Sequence, residues 1–113
     1  MSGAVTLSRR LLLERPLTAP DGAGGFAQTW ETLGAVWAEV VVRGGRETDG
    51  GTMSLAAAKY RITLRGAPVG AAQRPTPECR FREGERVFAI DAVTEKDEQG
   101  RYLVCHATEE VAS

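Results

Sequence analysis

Hydrophobic and polar residues alternate along much of this chain, and the clearest case is KYRITLR, Lys59 to Arg65. Tyr60, Ile62 and Leu64 take one side, and Lys59, Arg61, Thr63 and Arg65 the other, which predicts a strand with one buried face. Leu7, Leu11 and Leu13 share a parity in an extended run from Leu7 to Glu14, which Pro16 and Pro20 are expected to close. The last third reads as a meander. Cys79 and Phe81 alternate with Arg80 and Arg82, Glu83-Gly84 turns the chain, and Val87 to Val93 follows with Phe88 and Ile90 of one parity. A polar KDEQG turn then leads into Tyr102 to Ala107, with Leu103, Cys105 and Ala107 on one side. Strands joined by such short turns are antiparallel.

Two segments are less regular. In GGFAQTWETLGAVWAEV, Gly24 to Val40, the residues Phe26, Trp30, Leu33, Trp37 and Val40 fit a helical stripe. They also fit two strands meeting at a turn near Leu33-Gly34. A helix would carry Gly34 in its middle at roughly 1 kcal/mol relative to Ala, and the β-branched run in AVWAEVVVR favours a strand from Ala35 to Arg43. Local physics leans to two strands and leaves the helix open. The second segment, GGRETDGGTMSLAAA, Gly44 to Ala58, is a long Gly-rich loop, with one or two helical turns available at its end. A further loop, DGAGG, spans Asp21 to Gly25 with little backbone constraint.

The expected fold is mainly β, a small antiparallel barrel or sandwich of about six or seven strands. It carries one long Gly-rich loop and at most a short helix, in one domain over residues 1–113. The expected core is Leu11, Leu13, Trp30, Trp37, Tyr60, Ile62, Leu64, Phe81, Phe88, Ile90, Leu103 and Cys105.

Charge and candidate chemistry narrow the function by exclusion. The formal net charge is −1, against a protein whose main task is gripping nucleic acid. The cations are nearly all arginine, for which codon composition is the bland explanation. No apolar run is long enough to span a bilayer and the N-terminal stretch lacks the order of a secretory signal, so a cytoplasmic product is expected. Cys79 and Cys105 are then expected as buried free thiols. His106 is the single histidine, no cysteine pair has zinc spacing, and no phosphate-binding or nucleophile-elbow motif occurs. Neither metal, cofactor nor catalysis is expected. Phe26, Trp30, Trp37 and Tyr60 are able to stack bases, so a small single-stranded nucleic-acid-binding barrel stands as the alternative; their ordinary role is core.

The order of these segments resembles the phage head–tail joining family, the head-closure, stopper or adaptor proteins of long-tailed phages and gene transfer agents. RRLLLERP, GGFAQTWETLGAVWAEV, the GGRE loop opening, KYRITLR, GERVFAIDAV, DEQGR and YLVCHATEE carry it, from about Leu7 to Glu110. The link GAPVGAAQRPTP, Gly66 to Pro77, departs from the family pattern. The resemblance implies a small barrel and reads the Gly24–Val40 stretch as strand, turn, strand. It implies a virion connector without chemistry: a sixfold or twelvefold ring between a portal or adaptor ring and a tail terminator or tail tube. DNA would pass through without sequence-specific binding. The projecting loop 44–58 carries over as the channel loop, with Arg43, Gly44, Gly45, Arg46, Glu47, Asp49, Gly50 and Gly51 near the conduit. Localisation follows as the virion, with host cytoplasm during assembly.

Overall fold

A computed structural model of the chain describes residues 4–44, 58–68 and 70–110. Six strands account for most of them: β1 (Arg9–Pro20), β2 (Phe26–Gly44), β3 (Lys59–Arg65), β4 (Arg80–Glu83), β5 (Arg86–Glu95) and β6 (Tyr102–Glu109). They close a barrel in the order β1-β2-β3-β6-β5-β4, with every pair antiparallel. No helix occurs among the described residues. Closure is narrow at one seam, where β1 meets β4 only through Leu12↔Arg82, Leu13↔Phe81 and Glu14↔Arg80.

The interior is filled by the parity that the alternation marks. Leu11, Leu13, Ala38, Ile62, Leu64, Phe81, Phe88, Ile90, Leu103, Cys105 and Ala107 are buried, and Cys79 sits at their margin. Tyr60 is half-buried and meets the core edge-on, its ring centroid 5.2 Å from that of Phe88 at 83°. Both cysteines are free. Burial pushes the Cys105 thiol up to about 12, so it is a neutral filler.

Three expectations need correction. The stretch from Phe26 to Val40 is neither a helix nor two strands: β2 runs unbroken for 19 residues. The feature read as a turn is a β-bulge, because Leu13 pairs with Gly34 while Glu14 pairs with Thr32, leaving Leu33 as the extra residue. Gly34 sits there at φ 150°, which L side chains rarely adopt. The prolines do not close β1 either: Pro16 faces Trp30 and Pro20 faces Phe26 in a continuing ladder. Pro lacks a ladder donor and is tolerated where that side of the strand has no partner. Finally, the tryptophans are not core. Trp37 is 55% exposed, and Trp30 is only half-buried on the outside of the sheet.

The described residues of the link from Gly66 to Pro77 fold over one barrel end. Arg74 Nη1 donates to the Ala67 carbonyl at 2.8 Å, the Gly66 amide donates to Arg101 O at 2.8 Å, and Pro75 is fully buried. A Cβ at Gly66 would stand 2.0 Å from the Gly100 carbonyl oxygen, so this crossing admits glycine alone.

Candidate assembly surfaces

Strand direction divides the barrel into two ends. β1, β3 and β5 start, and β2, β4 and β6 finish, at the end where segment 44–58 leaves the sheet. Arg43 is exposed there, as the extra residue in the β2–β3 register shift between Val42 and Gly44. Gly44 closes β2; Gly45, Arg46, Glu47, Asp49, Gly50 and Gly51 lie outside the described residues.

Beneath that root, charged side chains occupy inward-facing positions. Arg9 continues the parity of Leu11, Glu83 that of Phe81, Arg86 that of Phe88, and Glu109 that of Ala107. Arg9 grips Glu83 through Nε at 3.0 Å and Nη2 at 2.6 Å. Arg86 grips Glu109 through Nε at 2.8 Å and Nη2 at 3.2 Å. Tyr60 joins them, its hydroxyl donating to Glu109 Oε1 at 3.1 Å while accepting from Arg86 Nη2 at 3.3 Å. The Arg86 guanidinium also lies 5.0 Å from the Phe88 ring centroid. The bond from Arg9 holds the Glu83 carboxyl below its ordinary range, and that from Arg86 does the same for Glu109. Burial, then Glu109, pushes the Tyr60 hydroxyl up. Two cations and two anions thus close the barrel with balanced charge. Sequence reasoning missed this plug, although extending each strand's parity to its last residue is enough to find it.

At the opposite end β1 and β2 continue past the barrel as a ribbon. Six pairs, from Arg15↔Glu31 to Pro20↔Phe26, have no other strand beside them. At about 3.3 Å per residue the ribbon is roughly 20 Å long. Most of it is exposed on both faces. One face carries Trp30, Pro16, Pro20 and Phe26, and Phe26 at the tip is 72% exposed. The tip is tied by Asp21, whose Oδ1 accepts from the amides of Ala23 at 2.8 Å and Gly25 at 3.0 Å. These bonds lower the Asp21 carboxyl below its ordinary range and give the loop more constraint than its glycines suggest.

The root of this arm is clamped from outside the barrel. Glu14, 3% exposed, receives Arg80 Nε at 2.7 Å and Arg82 Nε at 2.9 Å. The Arg80 guanidinium lies 4.0 Å from the Trp30 ring centroid. Burial works to raise the Glu14 carboxyl, but the bonds from Arg82 and Arg80 outweigh it and hold the group below its ordinary range. An otherwise costly buried charge is therefore matched twice. Trp30 serves here as a stacking plate that orients Arg80.

Where β3 turns away from β2, an open apolar pocket of about 470 Å³ forms between Leu7, Val36, Trp37, Leu64 and Pro68. Arg65 lines it as well, and Arg10 lies across the ladder from Trp37. No cluster of His, Cys, Asp and Glu suited to a metal ion occurs among the described residues. No helix of the described residues is long and apolar enough to cross a membrane.

No match was found among curated proteins. A solved chain from the virion of a native gene transfer agent particle is 50% identical, with a TM-score of 0.81, over 96% of this chain and 98% of that one. The family model for phage head completion proteins matches residues 3–110. With nearly the whole barrel, arm and loop root inside that match, the chain belongs to the phage head completion protein family.

Proposed function

We propose that this protein is a virion connector. In this reading it forms a ring between a portal or adaptor ring and a tail terminator or tail tube, closes the DNA-filled head, and offers the tail its attachment surface. Half-identity over 96% of the chain to a component of a gene transfer agent virion carries the reading. The placement of the arm and of the root of segment 44–58 supports it. Segment 44–58 leaves one end of the barrel and the arm leaves the other, as a part facing both a conduit and its neighbours requires. The loop faces the DNA channel. Arg43 and Lys59 at its root share a cleft with Asp91 and His106, so the root is of mixed sign. A strongly cationic lining would adhere to phosphate, whereas mixed charge lets DNA be held and then released.

Negative-stain imaging of the protein mixed with its portal and adaptor complex tests the reading directly. The expected outcome is an added ring on the distal end; absence of binding under assembly conditions overturns it. The exposure of Trp37 beside Arg65 favours a single-stranded nucleic-acid-binding barrel. That alternative predicts salt-dependent affinity for oligonucleotides, lost in Trp37→Ala without unfolding. The connector reading predicts no such affinity.

A further inference from the structure

A ring needs two different complementary surfaces on every subunit, because its contacts run head to tail. The described residues hold an apolar projection and an apolar recess. The projection is Phe26, held out at the arm tip. The recess is the pocket between Val36, Trp37, Leu64 and Pro68. We propose that in the assembled ring the arm of one copy seats Phe26 in this pocket of the next copy. The inference rests on the ring reading above and adds to it the residues that join one subunit to another.

Four features favour a second copy as the occupant. The arm is held at its root by the Trp30–Arg80–Glu14 clamp, so Phe26 is presented without the ordering penalty of a loose tail. Phe26 cannot fill its own chain's pocket, since eleven residues of continuous strand, about 36 Å, separate it from Trp37. The pocket has room for a phenyl group together with its flanking Pro20. Charge is complementary: Asp21 is the single ionisable side chain between Pro16 and Trp30, while Arg65 lines the pocket and Arg10 pairs across the ladder with its Trp37. Neither arginine forms an ion pair with a carboxylate among the described residues. An aromatic anchor entering an apolar recess beside arginine is the usual composition of an interface hot spot.

The test uses the full chain assembled on its portal and adaptor complex, with Ala27→Cys, beside an intact Phe26, and Gln73→Cys in the same chain. Both positions are exposed, Gln73 lines the pocket, and the native thiols are buried. A short bismaleimide should then convert assembled rings into a ladder of covalent multimers on a denaturing gel. Equal mixtures of the two singly substituted chains should stop at covalent dimers, because only one contact in each direction carries both thiols. Phe26→Ser in the unlabelled protein should reduce ring occupancy at least tenfold while leaving its melting curve unchanged. Rings visible by negative stain that give no ladder, or Phe26→Ser chains that assemble like the parent, overturn the arm-in-pocket contact and leave the ring standing. If the parent chain forms no ring on its complex, the ring reading fails first, and this contact with it.

Discussion

At the scale of single residues, the fold is governed by a few side chains whose position carries more weight than their type. Glu14 is a carboxylate on a barrel wall, yet it is buried and bound by two arginines. Glu14→Ala should destabilise the protein by about 1–3 kcal/mol in urea unfolding, because Arg80 loses its anion while Arg82 turns to solvent. The carboxylates of Glu14, Glu83 and Glu109 all titrate below their ordinary value of 4.5 in the folded chain. Their contribution is therefore complete above pH 4.5 and lost as pH falls through the lowered folded values. The melting temperature should be flat near neutrality and fall below about pH 4.5. Gly66→Ala should cost about 1–3 kcal/mol, since backbone rather than a movable side chain blocks the new methyl. Of the residues that matter, the sequence made the inward apolar ones legible: Leu11, Ile62, Phe81 and Leu103 are buried where alternation puts them. It misplaced Trp30 and Trp37, because size argued for the core while parity with Thr32 and Glu39 argued for the outside. Parity won.

At the scale of elements, β3 and the C-terminal meander were readable because each strand has one buried face and a short polar turn. The arm was not, because a two-stranded ribbon exposed on both faces has no hydrophobic alternation to display. Its prolines look like terminators when they are edge residues. Barrel closure through β1–β4 and β3–β6 was equally hidden, as both pairings join segments far apart in sequence, such as Glu14 with Arg80 and Lys59 with Thr108. The arm is separable by this account. Replacing residues 18–28 with Asn-Gly joins the paired positions Leu17 and Thr29 by a two-residue hairpin turn. The melting temperature should stay within a few degrees in thermal unfolding followed by circular dichroism, while assembly on the portal complex is abolished.

At the scale of the whole molecule, the proposed connector role gives the two ends of the barrel different duties, which should then fail in different ways. Deleting Gly44 to Gly51 should leave the fold and the ring intact and yield particles that leak DNA or fail to join tails, measured by packaged-DNA retention. Normal infectious or transducing particles from that deletion would remove the gating role. β2 joins the arm tip to the loop root directly, running from Phe26 to Gly44. Its pairing with β1 is pinned by the bulge at Leu33, and slipping by one residue would turn its inward side chains to solvent. A tug on the arm therefore cannot be absorbed by sliding. On the connector reading, it is carried along β2 to Gly44, so seating the arm in a neighbouring copy would be felt where the strand ends.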